Sequence, residues 1–202
     1  MPSNGPLRAT SVLLFTRAEV TGRHIFRTVR LDLALTGGEG RVWFDASRRS
    51  VAEASWQRQL HHLEAVGRAH YALPWAETDL RISVRGEGVT LSGASASLPL
   101  FVAWVALLGD RALPEPFFAA GVALAGSTAL AAAPRGYAQG KVEVADALAR
   151  KRGDAGRPRM WVPAGSDVDR SRLTAIEVRE VATLVEGVAE ILGIAATGEM
   201  RS

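Results

Sequence analysis

Apolar and polar side chains alternate along "SVLLFTRAEV" (11–20) and again along "FRTVRLDLAL" (26–35). A period of two sends successive side chains to opposite faces, so both segments read as half-buried strands. "TGGEG" (36–40) is a turn, and with "RVWFDA" (41–46) these segments predict a small meander. From Arg48 to about His70 the spacing becomes helical, with Ala52, Trp56, Leu60 and Leu63 on one face and Ser47 or Ser50 as N-cap. "TDLRISVRG" (78–86) is again a strand. "GVTLSGASASLPLFVAWVALLG" then runs from a turn of small residues into an apolar helix over 98–108 that stops at Gly109. A proline-containing loop, "DRALPEPFFAAG", leads to a strand-like "GVALAGSTAL" (121–130). A helix over 141–152 with Val144, Ala145 and Leu148 inward follows, then a short buried strand "RMWVP" (159–163). The chain closes on a helix over 176–192, with Val181, Leu184, Val185, Val188, Ile191 and Leu192 on one face.

Interleaved strands and helices without an internal repeat predict a single domain of mixed α/β, α+β class. Its small mixed sheets would pack against helices over residues 11–193, between a flexible N-terminus (1–10) and a flexible tail (194–202). At 202 residues, 48% hydrophobic and 22% charged, the chain is long enough to bury a real core. The net charge of +3 comes without a long basic run, so nucleic acid is not an expected partner. The absence of cysteine excludes disulfides, thiolate metal sites and a Cys nucleophile. The apolar stretch 98–108 is too short to span a membrane, and the first twenty residues lack a signal-peptide pattern. A cytoplasmic location is the expectation.

Lysine is nearly absent: of 24 basic residues only Lys141 and Lys151 are Lys. Arg does not lose its proton in a protein, whereas a buried Lys does. In "GYAQGKVEVAD" (136–146), Lys141 is therefore a candidate for proton chemistry rather than for charge alone. A phosphate-binding loop is excluded, because Gly136 and Gly140 are one residue too close and Val142 stands where a metal-binding Ser or Thr is required. In "SGASAS" (92–97), Ser95 sits in a turn of small residues ahead of an apolar helix, where backbone N–H groups favour a developing oxyanion. A neutral Lys is an adequate base for such a Ser. The positive end of Lys141's own helix and burial would both disfavour its charged form. Either residue alone is ordinarily an N-cap or a solvated charge. The pair carries the signal.

These residues resemble the proteolytic domain of Lon-type ATP-dependent proteases. That family's nucleophile lies in a G-P-S-A-G turn, matched here by "GASAS", and its base follows P-x-G-G-x-x-x-K, matched through Pro134, Gly136, Lys141, Glu143 and Ala145. Gly126 falls in register in the preceding strand, and the order of elements agrees along essentially the whole chain. The resemblance implies a Ser-Lys dyad of Ser95 and Lys141, with the oxyanion held by the backbone around Gly93, Ala94 and Ala96. It also implies polypeptide substrates, no cofactor and no metal, and a ring-shaped homo-oligomer, hexameric in the family. No ATPase motor is encoded in these 202 residues, so the expectation is either that a separate unfoldase feeds the chain or that it handles loose substrates or a specific partner alone. Four positions depart from the pattern. Ala94 replaces Pro, Ser97 replaces the second Gly, and Ala125 replaces a Thr that holds the Lys. Ser127 stands at a common acidic position, and Ser127 and Thr128 are the candidates to support Lys141 instead. The departures keep a second expectation alive, a non-catalytic Lon-like module for oligomerisation or binding.

His61, His62 and His70 read as surface side chains of a polar helix face, and His24 as strand surface, with no acidic cluster at metal spacing. The five Trp residues read as core. Asp79, just before a strand, is either structural or substrate-facing.

Overall fold

A computed structural model describes residues 7–21, 23–45, 54–85, 95–134, 136–153 and 156–197. The two alternating segments form one long antiparallel hairpin, β1 (Arg8–Val20) and β2 (Arg23–Gly37), paired from Arg8↔Leu35 to Val20↔Arg23. The expected meander does not continue. β3 (Val42–Asp45) pairs in parallel with β4 (Thr78–Arg85), and β4 takes the place beside β2. The reason lies in α1 (Ala54–His70), which carries the chain back across the sheet so that β3 and β4 run the same way. The proposed N-caps Ser47 and Ser50 lie outside the described residues.

The rest of the chain extends the other edge of the sheet. After α2 (Ser97–Leu108) comes the two-residue strand β5 (Phe118–Ala119), parallel to β1 at Leu13↔Phe118. β8 (Arg159–Pro163) and β9 (Glu177–Val181) add in parallel beyond it, giving the order β3-β4-β2-β1-β5-β8-β9. β6 (Val122–Ala123) and β7 (Leu130–Ala131) form a separate two-stranded hairpin. The remaining helices are α3 (Tyr137–Arg152) and α4 (Leu184–Leu192). The class is α+β, with one seven-stranded mixed sheet rather than several small ones.

Pleating divides the core in two. Val12 and Leu14 of β1 pack with α1, α2 and α4, whereas Phe15, Phe118, Met160 and Val162 pack with Val142, Ala145 and Ala149 of α3. The sheet is thus sandwiched, with three helices on one face and α3 on the other. Every residue of α2 is buried, which explains its lack of an amphipathic period. Trp56, Trp75, Trp104 and Trp161 lie in the core, but Trp43, on the edge strand β3, is 50% exposed.

Three other expectations change. "GVALAGSTAL" is two strands, because Gly126 adopts φ +70° and the Ser127 hydroxyl accepts from Ala129 N at 3.0 Å, closing a tight turn. The helix expected over 176–192 begins only at Leu184; before it, Glu177–Val181 is strand β9. Thr183 caps α4 by accepting from Glu186 N at 3.0 Å, and Glu186 reaches back to Ala182 N at 2.6 Å. α3 starts at Tyr137, not at residue 141. Gly136 in the left-handed region precedes it, and Gly140 lies inside it because the Phe26 ring of β2 occupies the space a Cβ would need, 2.2 Å away.

Candidate functional site

Ser95 is the last residue before the Ala96 N-cap of α2, and its position is fixed by the backbone. Gly121 N donates to Ser95 O at 2.9 Å, and Leu98 N donates to Gly121 O at 3.3 Å. The start of α2 is thereby tied to the segment leading into β6. A Cβ at Gly121 would come within 3.1 Å of Leu98 Cβ, so a larger residue here would push Leu98 back by a few tenths of an ångström. Next to it, the buried Ser97 hydroxyl accepts from Gln59 Nε2 at 2.7 Å, anchoring the turn on α1.

Lys141 reaches the same place from the other side of the sheet's edge. Its inward direction follows from the period of α3, since Ala138, Lys141, Val142, Ala145 and Ala149 are all buried. Lys141 is only 3% exposed. Ser95 and Lys141 both line one cavity of about 250 Å³, whose walls are Ala120, Gly121, Val122, Ala131, Ala132, Ala133, Pro134, Tyr137, Ala138, Val162 and Pro163. Apart from the hydroxyl of Ser95, the amine of Lys141 and the ring of Tyr137, these walls carry apolar side chains or bare glycine.

Burial in such surroundings pushes the Lys141 amine down from the ordinary lysine range to about 8. Desolvation is the cause. Lys141 belongs to the second turn of α3, and the helix-end field expected to act on it fades within the first turn. Among the described residues Nζ has no hydrogen bond and no ion pair; it lies 4.6 Å from the centroid of the Tyr137 ring.

The supporting residues expected for Lys141 are elsewhere. Ser127 and Thr128 sit in the turn between β6 and β7 and do not line the cavity. Ser127 spends its hydroxyl on Ala129 N, and its carbonyl oxygen is 2.9 Å from His62 Nε2. Thr128 O accepts from Leu184 N. Ala96 is in place at the start of α2, while Gly93 and Ala94 lie outside the described residues. Tyr137 was not singled out by motif, although its place one helical turn before Lys141 puts both on one face.

Other candidates resolve into structure. Asp79 accepts from Glu39 N and Arg41 N at 2.9 and 2.8 Å and clamps the loop between β2 and β3; the Arg41 amide above all holds its carboxyl below the usual range. His61 is exposed, His62 meets the hairpin, and the Nδ1 of His70 is buried without a partner among the described residues. The side chain of His24 lies outside the described residues. Asp146, 2% exposed, accepts from Thr174 N, Ala175 N and Ile176 N at 2.9, 2.7 and 3.2 Å and so fixes the entry to β9. Among the described residues no three His, Asp or Glu side chains gather at metal-binding distance, and no helix is long and apolar enough to cross a membrane.

Compared with known proteins, the sequence matches no family model, and no relative is found among curated proteins.

Proposed function

We propose that this chain is a Lon-like serine endopeptidase that cleaves unfolded polypeptide with Ser95 as nucleophile and Lys141 as base. The observation that supports the reading is that these two residues, distant in sequence and on different elements, line one small apolar cavity in which Lys141 is desolvated. An amine near pKa 8 is about one-tenth neutral at pH 7 and half neutral at pH 8, which suits a general base. In the proposed reaction Lys141 Nζ takes the Ser95 Oγ proton as Oγ attacks the peptide carbonyl. Backbone amides at the start of α2, that of Ala96 among them, hold the oxyanion. Lys141 then gives its proton to the leaving amine, and water attacks the acyl-enzyme with Lys141 again as base. A ring-shaped assembly and delivery by a separate ATPase belong to the same proposal and rest on the motif resemblance alone.

A second reading, the non-catalytic Lon-like module, draws on one observation: the Lys141 ammonium lies on the Tyr137 ring and is not hydrogen-bonded to Ser95. A fluorophosphonate probe separates the two, because an activated Ser attacks its phosphorus and displaces fluoride without requiring the natural substrate. The peptidase reading expects a phosphonate adduct on Ser95, located by peptide mass spectrometry, that is lost in Lys141→Met. Folded protein that leaves Ser95 unlabelled up to about pH 9, where the amine is mostly neutral, would favour the module. With a cleavable unfolded substrate, Ser95→Ala should lower turnover at least about a thousandfold.

A further inference from the structure

A buried lysine normally finds a carboxylate or several hydrogen-bond acceptors, because an ammonium without them loses its hydration for nothing. Lys141 has neither among the described residues. What it has is an aromatic face. Tyr137 and Lys141 are four residues apart on α3, so their side chains meet on one side of the helix, and Nζ stands 4.6 Å from the ring centroid. The ring is itself held: Phe26 of β2 packs edge-on against it, centroids 5.6 Å apart, in the space left open by Gly140. Tyr137 also lines the cavity containing Ser95.

We propose that Tyr137 is the positioning residue for Lys141, its ring face holding the ammonium in the cavity beside Ser95 where other buried lysines use a carboxylate. The inference rests on Lys141 being the base of the proposed peptidase for its purpose, but not for its test.

Two opposed effects then set the state of the amine. Desolvation by the apolar walls favours the neutral form, and the ring quadrupole favours the charged form. Among the described residues one other cation lies at the ring. Arg17 of β1 lies with its guanidinium carbon 5.7 Å from the same ring centroid, a second cation that competes for the ring rather than neutralising Lys141. β8 presents Val162 and Pro163, the β6–β7 hairpin presents Val122 and Ala131, and among the described residues of the turn before α2 Ser95 presents its hydroxyl. On α3 itself, Glu143 is exposed and accepts from Gln139 Nε2 at 2.8 Å.

The near-absence of lysine makes the test direct. With 13C at lysine Cε the protein gives two resonances, Lys141 and the exposed Lys151, which serves as internal reference. Titration from about pH 6 to about pH 11 reads both pKa values without substrate. Tyr137→Phe keeps the ring and should leave Lys141 within a few tenths of a unit of wild type. Tyr137→Leu removes the quadrupole and should lower Lys141 by about one unit, with Lys151 unmoved. A ring-fluorinated Phe at position 137, which keeps the shape and withdraws the π charge, should lower it likewise and covers the event that the Leu variant fails to fold. An unchanged or raised Lys141 pKa in the fluorinated or Leu protein overturns the inference. That result would leave the probe experiment on Ser95 untouched, so the two readings fail separately.

Discussion

Replacing Lys141 with methionine should make the protein more stable while removing its proposed base. The folded-state amine titrates near 8 against 10.5 for an unburied lysine, a difference worth about 3 kcal/mol. Below pH 8 the folded chain bears that full cost, because it must bury a charge. Between pH 8 and 10.5 the unfolded chain binds more protons than the folded one, so stability rises with pH across that window and the cost disappears at its upper end. Methionine has a similar length and no charge to desolvate, and the attraction of the ammonium to the Tyr137 ring is already contained in the folded-state value. Lys141→Met should therefore gain about 3 kcal/mol at pH 7, a rise in Tm of about 6–12 °C for a chain of this size. Urea unfolding of both proteins at about pH 7, 8, 9 and 10 reads the effect as a gap that closes as the pH rises. A variant less stable than wild type at pH 7, with a gap indifferent to pH, would mean that the ammonium has a favourable buried partner. The desolvation argument would then be wrong.

Gly67→Ala in α1 sets helix propensity against packing: alanine gains about 1 kcal/mol in a helix, but its Cβ would stand 2.1 Å from the buried Trp75 ring. Packing should win, with a net loss of about 1–3 kcal/mol in chemical denaturation. Asp146→Ala leaves three amides at the entry to β9 without their acceptor and should cost about 3 kcal/mol, with faster hydrogen exchange at Thr174, Ala175 and Ile176 as the local signature. For cleavage, kcat/KM should rise with pH to a midpoint near 8, set by the free protein, and the midpoint for kcat should lie lower, because a substrate side chain in the cavity completes the desolvation of Lys141. Equal midpoints, or a profile flat through pH 8, would count against Lys141 as the base.

The fold was legible where its causes are local. The alternation through Val12, Leu14, Val29, Leu31, Leu33 and Leu35 encodes the central hairpin, and the wholly apolar 98–108 encodes a buried helix. What sequence hid was decided by distant partners or by a single backbone angle. Nothing near β3 announces that it skips β2 and joins β4, since that pairing is formed only once α1 has crossed the sheet. β5 is two residues long, below any periodic signal, and exists because β1 and β8 offer it a slot. Within 176–192 the change from strand to helix is written locally. "IEVREV" alternates, and Thr183 with Glu186 forms a capping pair that marks a helix start after it.

The candidate site shows the same division at closer range. The residue types at 95 and 141 pointed to proton chemistry, and the fold independently sets both on one cavity. The origin of the lysine's shift was not legible, because Gly140 looked like part of a turn. Once Phe26 is seen to fill the space beside Gly140, the helix extends back to Tyr137 and Lys141 moves into its second turn. The helix-end field, about 0.3–1 kcal/mol even when well placed, then contributes little beside about 3 kcal/mol of desolvation. The lysine's basicity is consequently a property of the cavity walls. Val122, Ala131 and Val162 come from three different strands and Ala120 directly follows a fourth, and no stretch of sequence containing Lys141 records them. A polar side chain introduced at any of these four positions would act on the amine more strongly than one placed beside it in sequence.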